Sequence, residues 1–130
     1  MLQYKKTIGF LACFIMLLLI GCYKNVSVIS TTGEEITRPV SFTADIIPIF
    51  NSSCSLSGCH TTGGKSPDLT AANAYNSLMN GGYVNTADPE SSVIYLWMTG
   101  KKSTPMPPSG INKDYNSLML AWIKQGAKNN

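Results

Sequence analysis

The sequence has little charge and only one histidine. Charged residues make up 13% of the 130 residues, about half the share that is typical of globular proteins. With a net charge of +3 and no cluster of Lys and Arg, the chain lacks the basic surface that neutralises nucleic-acid phosphates, so no nucleic-acid partner is expected. The single histidine, His60, excludes any site that needs two imidazoles from one chain. No segment alternates convincingly as a strand does, and the sequence predicts a mainly α fold.

The N-terminus lacks an apolar run long enough to cross a bilayer. Residues 10–20 are apolar, but a membrane-spanning helix needs about 20 residues. Lys5 and Lys6 precede this run and Gly21-Cys22 follows it, which is the layout of an export signal. Residues 19–22 (LIGC) resemble the lipobox of bacterial lipoproteins, and that resemblance implies cleavage before Cys22 and acylation of its thiol. An ordinary secretory signal with a chance cysteine is the alternative.

The predicted organisation has three parts. Residues 1–21 are a lipoprotein signal peptide that is removed, residues 22–40 a lipidated tether, and residues 41–130 the folded domain. Residues 23–40 are rich in Ser, Thr and charge, and such a chain spans about 60 Å at most. The alternative is that residues 26–29 add an edge strand to the domain. Loss of Lys5 and Lys6 with the signal lowers the net charge from +3 to +1.

Four short amphipathic segments in the domain predict four helices joined by long loops. Each start is marked by a side chain that can cap the first turn or by a proline within it. The starts are Thr43 or Asp45, Thr70, Asp88-Pro89 and Asn112; the last three helices end at Gly81-Gly82, Gly100 and Gly126. Four short helices bury only a small core. A domain of this size often needs a disulfide, a metal or a cofactor to stabilise its fold.

Two thiols and an imidazole lie together at Cys54, Cys59 and His60. Two cysteines followed directly by a histidine are typical of c-type haem attachment, in which the thiols bind the porphyrin and the imidazole binds the iron. The spacer here has four residues instead of the usual two, so the extra residues must loop outward. In an exported protein the same cysteines could instead form a disulfide without haem.

Met106 is the best candidate for a second iron ligand, with packing under a proline-rich turn as the alternative. It lies in a proline-rich segment, where Pro105, Pro107 and Pro108 fix the backbone and exclude a helix. The other methionines of the domain, Met79, Met98 and Met119, lie on apolar helical faces, where methionine ordinarily fills the core.

Four ordered segments give the domain a family resemblance. They are residues 47–50 (IPIF), 88–92 (DPESS), 106–108 (MPP) and 122–127 (WIKQGA). The domain resembles a small monohaem cytochrome c of the exported kind described as planctomycete-type and also found in Bacteroidetes lipoproteins. The resemblance implies a bundle of about four short helices and long loops wrapped around one covalent haem c. It also implies thioethers from Cys54 and Cys59, with His60 as proximal and Met106 as distal ligand, and packing of the first helix against the last.

The expected function is electron transfer rather than catalysis. A His/Met-ligated iron carries one electron by an outer-sphere route, so we expect a monomeric carrier that meets redox partner proteins. Through acylated Cys22 it would be held by membrane lipid, on the periplasmic or outer-membrane side of a bacterial envelope. One alternative is a haem-binding or sensing module with a labile distal ligand, and another is a disulfide-stapled lipoprotein without haem. Five aromatic side chains are expected to wall the haem pocket, with a role as ordinary core aromatics as the alternative: Phe50, Tyr75, Trp97, Tyr115 and Trp122. Lys101 and Lys102 are interpreted mainly as a solvated surface pair, with guidance of an acidic partner as the other reading.

Overall fold

The computed structural model describes residues 32–130, and this part of the chain is helical without a β-strand. Its four α-helices are α1 (Ile47–Ser53), α2 (Ala74–Asn80), α3 (Val93–Met98) and α4 (Lys113–Lys124). A π-helical turn, Phe42–Ile46, leads directly into α1, and a 3₁₀ turn, Pro89–Ser91, precedes α3. The prediction of a mainly α fold with about four short helices and long loops is confirmed for the described residues.

Ser41 caps the first helical segment, so the prediction of a cap at Thr43 or Asp45 is wrong. The Ser41 hydroxyl accepts a hydrogen bond from the Ala44 N–H (3.1 Å), and the Asp45 carboxylate accepts one from the Ser41 N–H (2.8 Å). Asp45 also makes a bidentate ion pair with Arg38, at 2.7 and 3.0 Å. Because Arg38 and the Ser41 N–H both bind Asp45, this carboxylate joins the preceding segment to the helix instead of starting the helix.

The second helix begins later than predicted. Thr70 accepts hydrogen bonds from the Asn73 and Ala74 N–H groups through its backbone carbonyl, but its side-chain hydroxyl donates to the Asp68 carboxylate at 2.6 Å. That competing bond leaves a non-helical turn, and the cap position falls at Asn73. The predicted end is confirmed: Gly81 is the C-cap, and Gly82 has a positive φ of 68°, which glycine adopts without steric cost.

The last two helices follow the sequence signals more closely. The Asn112 side chain accepts hydrogen bonds from the backbone N–H groups of Asp114 and Tyr115, confirming it as the cap of α4. Asp88-Pro89 opens only the 3₁₀ turn, and α3 itself begins at Val93. At the end of α3 the chain turns at Gly100, where φ is 71°.

Aromatic side chains join the π-helical turn to α4. Trp122 is 1% exposed, and its ring lies 5.0 Å from that of Phe42. Tyr75 from α2 packs edge-on against Phe42 at 5.4 Å, and Phe50 does so at 6.3 Å. The Trp122 indole N–H donates to the Lys128 carbonyl at 2.9 Å. This aromatic cluster is the centre of the core.

One buried side-chain hydroxyl in α4, that of Ser117, has no hydrogen-bond partner.

The packed region begins ahead of Ser41, the predicted start of the domain. The Gly33 N–H donates to the Lys113 carbonyl at 2.9 Å, and Ile36 packs against the core. The Gln125 side chain accepts from the Val40 N–H at 2.8 Å and donates to the Arg38 carbonyl at 2.9 Å.

The predicted signal peptide (residues 1–21), the lipidation site Cys22 and the alternative edge strand at residues 26–29 lie outside the described residues. Among residues 32–130, no helix combines the length and the apolar character that a membrane crossing needs.

Candidate functional site

A cavity of about 320 Å³ brings Cys54, Cys59, His60 and Met106 together in its lining. These are the four cofactor-binding residues that the sequence predicts for the domain. Its volume is within the range of small-molecule sites, about 300–1,000 Å³. Its remaining wall is largely apolar and includes Pro67, Leu69, Tyr83, Ile94, Trp97, Met98 and Pro107.

The Cys54 to Cys59 spacer forms a turn directed away from the core. Cys54 directly follows α1, and its backbone N–H donates to the Phe50 carbonyl at 2.9 Å. Its carbonyl in turn accepts from the His60 N–H at 3.1 Å, which closes the loop at its base. Leu56 is 47% exposed, and Gly58 has a φ of 77°, which suits a residue without Cβ. Residues 56–58 of the spacer therefore lie at the surface.

Both cysteines of the cavity are free thiols in the structure and are half-buried. Burial, with a smaller contribution from the nearby Cys59, raises the pKa of the Cys54 thiol from 9.0 to about 11. At neutral pH this side chain is therefore an uncharged thiol that suits the apolar wall.

We expect the haem-free protein to lose stability in alkali because of Cys54. The thiol stays protonated in the folded state while the unfolded chain releases the proton, so stability falls as pH rises from about 9 through 11. A shift of two pKa units corresponds to about 2 to 3 kcal/mol of unfolding free energy. Urea titrations between pH 8 and 11 measure this loss. Cys54→Ala should remove it and Cys59→Ala should keep most of it; an equal loss in Cys54→Ala would contradict the prediction.

The imidazole of His60 is held by two backbone carbonyls. Its Nδ1 lies 3.0 Å from the Pro67 oxygen and 3.1 Å from the Lys65 oxygen. Carbonyl oxygens only accept hydrogen bonds, so Nδ1 carries a proton, and in the neutral imidazole Nε2 then keeps its lone pair. The backbone of His60 is fixed too, because its carbonyl accepts from the Leu69 N–H at 2.8 Å. A neutral imidazole with a free Nε2 is the form that binds a metal.

The Met106 loop is fastened to α3. The Met106 N–H donates to the Trp97 carbonyl at 3.0 Å, and the Lys102 N–H donates to the Leu96 carbonyl at 3.3 Å. Met106 is half-buried, and Pro107 next to it is buried. Two backbone bonds to one helix thus hold a thioether side chain at the cavity.

Only one of the five aromatic residues predicted to wall the site does so. Trp97 lines the cavity, whereas Phe50, Tyr75 and Trp122 belong to the aromatic core, and Tyr115 packs against that core. These four side chains lie in or against the core, so the alternative of ordinary core aromatics holds for them.

Tyr83 and Leu69 are cavity residues that sequence reasoning missed. Neither carries a helical pattern: Tyr83 follows the end of α2, and Leu69 follows the loop after His60. Met98 is buried, as predicted for core filler, but it also lines the cavity, whereas Met79 and Met119 do not.

The lysine pair is exposed, and Lys101 Nζ lies 5.8 Å from the centre of the Tyr95 ring.

No protein-family model, curated protein or solved structure matches this chain. Within residues 32–130, no group of three or more His, Cys, Asp and Glu side chains could hold a metal ion.

Proposed function

We propose that this protein is an electron carrier that binds one haem c covalently through Cys54 and Cys59, with His60 and Met106 as iron ligands. One observation carries the proposal: two free thiols, an imidazole with a free Nε2 and a thioether line one apolar cavity.

The donor chemistry of the cavity fits this group. Imidazole and thioether are an established ligand pair for haem iron, and two thiols are what covalent attachment needs. The Nδ1 bonds to the Pro67 and Lys65 carbonyls fix the His60 ring in the ligating tautomer. The backbone bond from Met106 to Trp97 restricts where the thioether can lie.

The bound haem would supply one-electron Fe(III)/Fe(II) chemistry. His60 would orient the group, and the soft Met106 thioether would favour the reduced state relative to a second imidazole. Trp97, Tyr83 and Ile94 supply apolar wall that excludes water. Two protein ligands leave no position for a substrate, which favours electron transfer over catalysis.

The arrangement of the ends of the domain supports a cytochrome c-like bundle. In that family resemblance the first and last helices are expected to pack together. Here the π-helical turn that leads into α1 packs on α4 through Phe42 and Trp122, with ring centres 5.0 Å apart. The same proposal includes a lipid anchor on Cys22, which would hold the carrier on the outer side of a cytoplasmic membrane or at an outer membrane. The partners of the carrier would be other redox proteins.

Replacing Met106 with leucine is expected to open the iron to carbon monoxide. Leucine keeps the apolar volume but removes the sulfur, so the reduced variant has a free ligand position that the wild type lacks. The protein is expressed with c-type haem maturation machinery, reduced and mixed with carbon monoxide, and uptake is followed by absorbance.

Met79→Leu is the matched control, because Met79 lies on α2 and is not in the cavity lining. It should behave as the wild type. Equal carbon monoxide uptake by wild type and Met106→Leu would favour the sensing function with a labile ligand. Colourless wild-type protein would overturn the haem proposal itself and favour the disulfide-stapled lipoprotein.

A further inference from the structure

One peptide group connects His60 to helix α2. The carbonyl of Pro67 accepts from His60 Nδ1 at 3.0 Å, and the N–H of the same peptide, on Asp68, donates to the Ser77 hydroxyl oxygen at 2.9 Å. Ser77 lies in the middle of α2 and is half-buried. A continuous path of hydrogen bonds thus runs from the imidazole, through the peptide, to a helical side chain.

The Asp68 carboxylate also binds three residues of the segment between His60 and α2. One carboxylate oxygen accepts from the Thr70 N–H (3.0 Å) and hydroxyl (2.6 Å). The other accepts from the Thr62 hydroxyl and the Asn73 amide, both at 2.9 Å. These bonds, the Thr70 hydroxyl first, lower the pKa of Asp68, so the carboxylate stays charged. Because Thr62 lies two residues after His60, the carboxylate closes the base of the His60 loop.

We propose that Ser77 is a positioning residue for His60, acting through the peptide between Pro67 and Asp68. Accepting the Asp68 N–H fixes the plane of that peptide and polarises it, which makes the Pro67 carbonyl a better acceptor for the imidazole. The inference rests on the proposed function for its consequence at the iron, but the hydrogen-bond path belongs to the protein alone.

The path has a chemical consequence at Nε2. A stronger bond from Nδ1–H to a carbonyl raises the basicity of the other ring nitrogen. A more basic ligand favours Fe(III), so Ser77 would lower the reduction potential of the bound haem. The Lys65 carbonyl, at 3.1 Å from Nδ1, is an alternative acceptor that is not linked to Ser77.

Ser77→Ala tests the path directly in haem-free protein. Alanine is the best helix former, so α2 is kept while the acceptor is lost. NMR of the ¹⁵N-labelled imidazole measures the solvent exchange of the Nδ1 proton and the share of the Nδ1–H tautomer. We expect exchange to become faster, by less than the roughly tenfold change that loss of one whole hydrogen bond would give, and the Nδ1–H share to fall. In haem-loaded protein the same change should raise the reduction potential.

Ser77→Thr should restore the wild-type Nδ1–H exchange rate and tautomer share because it keeps the hydroxyl. Ser77→Cys, whose sulfur is only a weak acceptor, should resemble Ser77→Ala and guards against a folding effect of one variant. Ser117→Ala is the matched control: it makes the same change in α4, at a hydroxyl without a partner, and should alter neither readout. Unchanged Nδ1–H exchange in both Ser77→Ala and Ser77→Cys would overturn the inference. Failure to bind haem would instead overturn the proposed function and leave the NMR result decisive for Ser77.

Discussion

Protein in which Cys54 and Cys59 are both replaced by alanine is expected to lose all covalently held haem. The thiols are the only cysteine side chains among the described residues, and both lie in the cavity wall beside His60. In the proposed site His60 and Met106 would hold iron by ligand bonds, which do not survive unfolding, whereas thioether bonds do. After expression with c-type maturation machinery and denaturing electrophoresis, haem staining should mark the wild-type chain and be absent from the double variant.

The single variants make the result more specific. Cys54→Ala and Cys59→Ala each keep one thiol, so each should retain haem through one bond, with lower yield. Ser55→Ala/Ser57→Ala changes two residues of the same loop without removing a thiol and should stain as the wild type does. Stain on the double-cysteine variant would show that attachment does not use these thiols.

Replacing Trp122 with alanine is expected to cost about 3 to 5 kcal/mol of unfolding free energy. The side chain is 1% exposed, packs against the Phe42 ring and donates a hydrogen bond to the Lys128 carbonyl. The variant therefore loses packing and leaves that carbonyl without its partner. A domain has about 5 to 15 kcal/mol in total, and the melting temperature should fall by at least about 12 °C. Urea and thermal unfolding of haem-free protein measure both.

Trp97→Ala is the matched control for that experiment. It also replaces a tryptophan with alanine, but Trp97 is half-buried and part of its surface lines the cavity. Less packing is therefore lost in haem-free protein. We expect it to destabilise the domain clearly less than Trp122→Ala. Equal destabilisation would contradict the assignment of Trp122, rather than Trp97, to the centre of the core.

Local signals predicted helix boundaries well only where no other group competed for the capping atom. Asn112 caps α4 with its own side chain, and its bonds reach only two and three residues along the chain. Asp45 looked equally suitable, but Arg38 and the Ser41 N–H bind its carboxylate. Thr70 donates its hydroxyl to Asp68. Both errors arise from hydrogen bonds to these two side chains that periodicity does not encode.

The residues of the candidate site also differ in how well the sequence predicted their positions. Residues chosen for their chemistry, such as His60 and Met106, do line one cavity. Residues chosen for size and apolar character were mostly misplaced, because an apolar stripe shows which helix face is buried but not what covers it. Phe50 and Trp122 are covered by other core side chains, whereas Tyr83, from a segment without a pattern, reaches the cavity.

In the anchored carrier that we propose, the contacts of residues 33–40 would change how far the domain can lie from the membrane. For a chain anchored at Cys22, a leash that ended at residue 40 would reach about 60 Å, but one that ends at Gly33, which is bonded to Lys113, reaches only about 35 Å. The volume swept falls with the cube of the reach, to about one fifth. Within that volume the effective concentration of the carrier rises about fivefold, which favours exchange with partners held in the same small patch of membrane.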